Sequence, residues 1–286
     1  MKASLIQPES LAAQLDDAGP IICDCRFSLT DPDAGRAAFE GRSIPGARYV
    51  DLEADMSGPI TPETGRHPLP DVSIWIETIQ KLGLNDGRHI VAYDHGPGVF
   101  AARLWWMLGW IGVHNVSILD GGFTRWEKLG LSVSAGEHVT RSETKDVSDR
   151  FELKEVVGLR VSAYDLERAL GTEQYMILDA REPKRFSGQE EPLDKKAGHI
   201  PGATNRFLGL NLADGCFKSK DLLRAEFDSL LHERNVSDVV HSCGSGVTAC
   251  HNLFAMEYAG LSGSRLYPGS WSEWIADPAR PIETSS

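Results

Sequence analysis

The chain has 286 residues and a hydrophobic share of 41%, which is enough for two globular domains with apolar cores. Its formal net charge of -12 argues against nucleic acid or an anionic membrane as a partner. No stretch has the pattern of a signal peptide, and no apolar stretch is long enough to span a membrane. The number of cysteines, five, is odd and is typical of a protein whose thiols stay reduced. We therefore expect a cytoplasmic protein.

Short apolar strands alternate with helical stretches along the chain. In the first half, the pattern predicts helices over 11–15, 73–82 and 101–108, and strands over 21–26, 90–94 and 116–119. In the second half, it predicts helices over 164–170, 222–231 and 249–258, and strands over 176–181 and 239–240. This alternation predicts an α/β fold in which each half is a parallel sheet with helices on both faces. Ligands of such sheets bind at the carboxyl ends of the strands.

The chain repeats itself once, over nearly its whole length. The matching segments are Ile21–Arg26 with Met176–Arg181, Ser43–Ala47 with His199–Ala203, and Ile90–Asp94 with Val239–Cys243. A period this long predicts duplicated domains rather than a solenoid. We therefore predict domains over 1–135 and 157–286, joined by a polar linker over 136–156. Arg26 and Arg181 match across the repeat, so an ion pair that orders each domain explains both.

Cys243 follows the predicted strand at 239–240 and precedes the predicted helix at 249–258. Gly244 and Gly246 permit a tight turn between them. Backbone N–H groups in such a turn form an anion-binding nest, and the helix N-terminus adds about half a positive charge. Together they favour a nucleophilic thiolate and would also stabilise a persulfide anion. We expect the thiol to be reachable from solvent and the amides to face it.

Asp94 occupies the position of Cys243 in the first half of the chain. A carboxylate cannot carry a transferable sulfur atom. The domain over 1–135 is therefore predicted to be catalytically silent and to serve as a wall of the site, and the domain over 157–286 is predicted to be catalytic.

These motifs together resemble the tandem rhodanese (sulfurtransferase) family, and they do so in family order over essentially the whole chain. The loop Cys243–Thr248 is similar to the loop of the 3-mercaptopyruvate form, since the basic residues usual in the thiosulfate form are absent. The resemblance implies two rhodanese-like domains, of which one is active. Cys243 would accept sulfur from a small anionic donor and pass it to a thiol such as thioredoxin or glutathione, or to cyanide. Gly244, Gly246, Val247 and Thr248 would surround the bound sulfur, and no metal or other cofactor is expected.

The resemblance also implies an arginine that binds the donor's carboxylate, and Arg185 matches it. A second arginine, usual in the mercaptopyruvate form, is missing near Glu191-Pro192. A shifted lysine contact is our preferred account, from Lys195 or the adjacent Lys196, and Arg66 is an alternative contact. A different natural donor is the rival explanation.

A proton relay is the last feature that the resemblance implies, because an enolate left by mercaptopyruvate must gain a proton. Ser245 would take part with His67 and Glu53, both from the predicted amino-terminal domain. A hydroxyl bonded to an imidazole can move a proton, and a carboxylate can fix the imidazole tautomer.

Three other functions compete with this interpretation. Thiosulfate sulfurtransferase is the nearest alternative, and a sulfur-relay or partner-binding module is less favoured because Cys243 is retained. A cysteine phosphatase or arsenate reductase needs a roomier loop that usually ends in arginine, and the loop over 243–248 is compact and has none.

Overall fold

The computed structural model describes residues 2–15, 19–85, 87–135 and 153–285. These residues form two compact units. The described residues of unit 1 belong to the segments Met1–Ser57, Pro70–Val156 and Asp214–Phe217. Those of unit 2 belong to the segments Gly58–Leu69, Val157–Ala213 and Lys218–Ser286. Most of the predicted linker, 136–152, lies outside the described residues. The predicted domain ranges therefore stay a prediction.

Short strands form the centre of both units. In chain order they are β1 (Leu5–Ile6), β2 (Ile21–Asp24), β3 (Arg48–Tyr49), β4 (Ile90–Tyr93), β5 (Val116–Leu119), β6 (Met176–Asp179), β7 (Thr204–Asn205), β8 (Leu212–Ala213), β9 (Cys216–Phe217), β10 (Val239–Ser242) and β11 (Arg265–Leu266). The helices are α1 (Pro8–Ala12), α2 (Ala34–Gly41), α3 (Val72–Leu82), α4 (Val99–Trp110), α5 (Gly122–Lys128), α6 (Ala163–Ala169), α7 (Pro183–Ser187), α8 (Lys220–Leu231), α9 (Ala249–Tyr258) and α10 (Ser270–Trp274). Short 3-10 turns occupy Leu208–Asn211 and Val236–Asp238.

The sheet of unit 1 has the strand order β1-β5-β4-β2-β3, and every pair in it is parallel. All residues of β2, β4 and β5 are buried. Such strands are continuous apolar runs because both faces of the sheet are covered. The core of this unit includes Ile22, Val91, Leu119 and Trp126.

The sheet of unit 2 has the strand order β11-β10-β6-β7, again with every pair parallel. Strand β10 is therefore internal, with Ser242 in register with Asp179 of β6. Helices flank both sheets, as the sequence predicted. Val240, Tyr267 and Trp271 belong to the apolar core of this unit.

Most predicted elements are confirmed, and the differences lie at the ends of helices and strands; the strands predicted over 21–26 and 176–181, for example, end at Asp24 and Asp179. Helix α3 begins after Asp71 rather than at Ser73, and it ends at Gly83 with a φ of 66°, as predicted. The early helix α1 covers Pro8–Ala12 rather than 11–15, because Pro8 favours the first helical position.

A buried ion pair lies at the carboxyl end of β2 in unit 1 and of β6 in unit 2. Arg26 lies 2.6 Å from Asp24, and Arg181 lies 2.8 Å from Asp179. Both guanidinium groups also donate to a backbone carbonyl, of Arg42 and Gly198 respectively. The structural role predicted for these matching arginines is confirmed. No helix in the part of the chain that the structure describes is long and apolar enough to cross a membrane.

Candidate active site

Cys243 lies at the carboxyl end of β10, an internal strand of unit 2, and a short loop joins it to α9. Gly246 in this loop has a φ of 79°, and a Cβ there would lie 2.1 Å from the carbonyl oxygen of Pro268. Both facts require glycine at this position. The strand, loop and helix predicted around Cys243 are therefore present.

Hydrogen bonds fix the backbone of Cys243 on both sides. Its N–H donates to Ser270 Oγ at 3.0 Å, and its carbonyl accepts the N–H of Trp271 at 3.0 Å. Ser270 has a φ of 53°, which is unusual for a residue with a side chain. Sequence reasoning missed this role of Ser270.

The loop also supplies hydrogen-bond donors around the thiol. The N–H of Gly246 donates to Cys243 Sγ at 3.1 Å, which confirms the predicted orientation for that amide. The N–H groups of Val247, Thr248 and Ala249 have no acceptor among the described residues. The first N–H groups of a helix lack intrahelical partners, so they are available to an anion.

The equivalent loop of unit 1 already holds an anion, the buried carboxylate of Asp94. Its Oδ1 accepts the N–H groups of Gly96 and Gly98, each at 3.0 Å. Its Oδ2 accepts those of Phe100 at 2.8 Å and Ala101 at 3.3 Å. Burial raises the pKa of Asp94, and these four hydrogen bonds oppose that rise. Counted in bonds from Cβ, the carboxylate oxygens of Asp94 correspond to the outer sulfur atom of a persulfide on Cys243.

We expect Asp94→Asn to lower the free energy of unfolding by about 2–3 kcal/mol, since hydrogen bonds to a charged group are lost and the amide NH₂ faces backbone donors. Urea unfolding at pH 7 measures the change. Asp33→Asn is the control because Asp33 is exposed in the same unit and its side chain does not cap α2. A variant as stable as the parent would contradict the importance of this nest.

Access to the thiol differs from the prediction. Cys243 is only 1% exposed, so the expectation of a solvent-accessible thiol is wrong for this conformation. Two guanidinium groups approach the loop at Gly244, where a Cβ would lie 2.8 Å from Arg66 Nη2 and 3.6 Å from Arg185 Nη2. The sequence could not show that both arginines approach this loop, because the residues come from separate segments of unit 2.

Two acidic side chains hold these arginines in place. Arg66 Nε and Nη2 donate to the two oxygens of Asp194 at 2.9 and 3.3 Å, and Arg185 Nη2 donates to Asp194 Oδ2 at 3.3 Å. Arg185 also donates to Glu191 Oε1 at 2.7 Å. Burial opposes ionisation of Glu191, but the Arg185 guanidinium and two backbone N–H groups outweigh it and lower its pKa. Asp194 and Glu191 were not among the predicted site residues.

Lys195, by contrast, is exposed. The three atoms nearest to the Cβ position of Gly244 belong to Arg66 and Arg185. The structure thus brings Arg66, the alternative, to the loop that holds Cys243. A substrate contact from Lys195 stays a prediction.

Ser245 and His67 meet as the sequence predicted. His67 Nδ1 lies 2.7 Å from Ser245 Oγ, and both residues are buried. His67 belongs to unit 2, together with the rest of Gly58–Leu69, although it precedes the predicted linker. Glu53 lies in unit 1 with an exposed side chain, and its part in the relay stays a prediction. Across the described residues, no cluster of three or more His, Cys, Asp or Glu side chains could hold a metal ion.

Comparison with known proteins decides the family. The model of the rhodanese-like domain matches two segments of the chain, 7–129 and 162–277. The chain belongs to the rhodanese family. The predicted rhodanese family and its α/β fold are thereby confirmed.

Full-length relatives of this rhodanese have sulfurtransferase names. A protein from Pseudomonas aeruginosa named probable 3-mercaptopyruvate sulfurtransferase is 44% identical over 99% of this chain and 98% of its own. SseB of Mycobacterium tuberculosis, named provisionally as a thiosulfate sulfurtransferase, is 37% identical over 97% of this chain and 96% of its own. The crystal structure of SseA from Escherichia coli, titled as a 3-mercaptopyruvate enzyme, superposes with a TM-score of 0.78 at 32% identity, covering 95% of this chain and 100% of SseA. The predicted sulfurtransferase class is confirmed.

Proposed function

We propose that this rhodanese takes a sulfur atom from 3-mercaptopyruvate, carries it as a persulfide on Cys243 and delivers it to a thiol or to cyanide. The 44% identical Pseudomonas aeruginosa relative carries the name of that activity. The observation that carries the choice of donor is the 2.7 Å hydrogen bond between His67 and Ser245, in the loop that holds Cys243. Mercaptopyruvate leaves an enolate that must be protonated, whereas thiosulfate leaves sulfite, which needs no proton at carbon.

Binding of the donor would use the two arginines at Gly244. A guanidinium group binds a carboxylate through two parallel hydrogen bonds. Arg66 and Arg185 would therefore hold the carboxylate of mercaptopyruvate, with Arg66 in place of the second family arginine. This would direct the donor's sulfur atom toward Cys243.

Transfer of sulfur would begin with attack by the Cys243 thiolate on the donor's sulfur atom. The new S–S bond forms as the carbon–sulfur bond breaks, and the electron pair of that bond stays on carbon as the pyruvate enolate. Ser245 and His67 would then deliver to that carbon the proton that came with the donor's thiol. The products are pyruvate and a persulfide anion on Cys243, so that charge and atoms balance.

The persulfide would be stabilised by the backbone of its own loop. The N–H group of Gly246 already donates to Cys243 Sγ, and those of Gly246, Val247 and Thr248 would bind the outer sulfur, with Gly244 beside it. Asp94 supports this account, because its carboxylate accepts four N–H groups of the equivalent loop in unit 1. Because Asp94 stands at the position of Cys243, unit 1 carries no sulfur in our proposal.

A thiol such as thioredoxin or glutathione, or cyanide, would attack the outer sulfur and release the Cys243 thiolate. All five cysteines are free thiols, which supports a reducing compartment such as the cytoplasm. Thiosulfate remains the second candidate donor, supported by the Mycobacterium tuberculosis relative, and a relay to a protein acceptor is the third possibility.

Steady-state kinetics with each donor, at fixed cyanide, test the proposal. We expect kcat/KM for mercaptopyruvate to exceed that for thiosulfate by about tenfold or more, which corresponds to about 1.4 kcal/mol of transition-state discrimination. Intact mass spectrometry after donor addition should show a species heavier by one sulfur atom, which cyanide removes. Preference for thiosulfate would replace the proposed donor, and absence of the heavier species would reject the persulfide.

A further inference from the structure

We propose that Asp194 is an internal carboxylate that occupies the donor's carboxylate subsite, so that a donor must displace it to reach Cys243. The inference rests on the proposed function in one respect, namely that Arg66 and Arg185 form that subsite. It adds a residue that sets the affinity and selectivity of the site.

The geometry around Asp194 is that of a bound carboxylate ligand. Its two oxygens accept Arg66 Nε and Nη2 at 2.9 and 3.3 Å, which is the paired arrangement that a guanidinium group offers to a carboxylate. Oδ2 also accepts Arg185 Nη2 at 3.3 Å. A carboxylate from outside the chain that binds the Nε and Nη2 edge of Arg66 would need these same donors, so it cannot bind there while Asp194 does.

Burial shows how completely the subsite is filled. The side chain of Asp194 is 3% exposed, although Arg185 and Arg66 around it are 17% and 28% exposed. Both guanidinium groups lie at Gly244, next to Cys243, which is itself 1% exposed. In this conformation the thiol is therefore buried, and the ion pairs lie beside the next residue of its loop.

Asp194 is the carboxylate that can leave, because its neighbour Glu191 is fixed. Glu191 Oε1 accepts the backbone N–H groups of Leu193 and Asp194 at 3.0 and 3.1 Å, and Arg181 Nη1 lies 3.4 Å from Oε2. Glu191 thus anchors the turn that carries Asp194. The Asp194 side chain itself is bound only to the two arginines among the contacts of the described residues, so rotation about its Cα–Cβ bond would release both without unfolding the turn.

Competition of this kind weakens donor binding in a calculable way. If Asp194 holds the arginines in about nine of ten molecules, the apparent Kd of an external carboxylate is raised about tenfold over its intrinsic value. Anions that bind only one guanidinium group, and bind it weakly, would be excluded from the subsite. An α-keto carboxylate that also contacts the loop of Cys243 could displace Asp194. The same carboxylate keeps two neighbouring cations neutralised when the site is empty.

Binding of pyruvate to the sulfur-free enzyme tests the proposal. Pyruvate carries the donor's keto carboxylate without its sulfur, so the measurement does not depend on sulfur transfer. By isothermal titration calorimetry, we expect Asp194→Asn to lower the Kd of pyruvate about fivefold or more, because a neutral amide competes poorly for two guanidinium groups. Asp194→Ser is the second variant, for use if the first is poorly folded, and it should show a shift at least as large.

Glu190→Gln is the matched control. It removes one negative charge from the same segment, but Glu190 is 57% exposed and bound to Lys184 instead of the two arginines. Its Kd for pyruvate should stay within about twofold of the parent, since exposed charges are strongly screened. An equal shift in Glu190→Gln and Asp194→Asn would assign the effect to net charge and overturn the proposal.

An unchanged or higher Kd in both Asp194 variants would also overturn it, since Asp194 would then position the arginines for the donor rather than compete with it. If neither parent nor variants bind pyruvate, the subsite is wrongly assigned and the proposal fails. A failure of sulfur loading with mercaptopyruvate, measured separately, would reject the proposed function and leave the pyruvate result unaffected.

Discussion

Cys243→Ser should abolish sulfur transfer from every donor, with a fall in kcat/KM on the order of 10⁴-fold or more. The serine hydroxyl is scarcely ionised at neutral pH, and its oxygen cannot form the S–S bond that carries the sulfur atom. The fold should persist, because Ser and Cys are similar in size and the backbone contacts of this residue to Ser270 and Trp271 do not use the thiol. Steady-state kinetics with both donors and intact mass spectrometry measure the effect.

Cys216→Ser is the matched control for this experiment. Cys216 is also a free thiol, but it is half-buried in unit 1 and lies outside the loop that follows β10. It should transfer sulfur at the parental rate and still gain one sulfur atom in mass. Turnover that survives in Cys243→Ser would remove this residue as the sulfur carrier.

His67→Gln should lower kcat for mercaptopyruvate by about 10²-fold while leaving thiosulfate turnover within about threefold of the parent. Glutamine can still form a hydrogen bond with Ser245, but it cannot exchange a proton near neutral pH. Only the mercaptopyruvate reaction leaves an enolate to protonate, so the loss should depend on the donor. The ratio of kcat values for the two donors is therefore the decisive measurement.

Two further variants separate a relay from a structural role for His67. Ser245→Ala should reproduce the donor-dependent loss, because Ser245 Oγ lies 2.7 Å from His67 Nδ1. His114→Gln should have no effect on either donor, since His114 is exposed and belongs to unit 1. An equal loss with both donors in His67→Gln would mean that His67 supports the loop rather than moving a proton.

Features written within a short stretch of sequence could be predicted well. The apolar strand, the glycines and the helix around Cys243 lie within about twenty residues, and each has its own local signal. The repeated Asp-x-Arg motif likewise forms its ion pair between residues two positions apart. The family resemblance added the pairing of Ser245 with His67, which are separated by 178 positions.

Features that depend on charge neutralisation between distant segments could not be predicted. Arg66 and Asp194 are separated by 128 positions, and nothing in either local sequence indicates that they pair. The sequence suggested Lys195 for the missing arginine because it is close along the chain, whereas Arg66 reaches Gly244 in the structure. Ser270 was missed for a similar reason, since its contact with Cys243 joins the ends of neighbouring strands β10 and β11.

The sequence by itself determined the alternating architecture and the duplication, and it singled out Cys243 as the candidate thiol, because periodicity, glycine placement and a Cys-for-Asp difference between the repeats are local properties. Only the tertiary structure decided that this thiol is buried, which arginines lie beside its loop and which carboxylate they hold. Those outcomes depend on which charges are buried together. A buried guanidinium group is costly unless it is paired with a carboxylate, and the fold can bring that carboxylate from any segment of the chain.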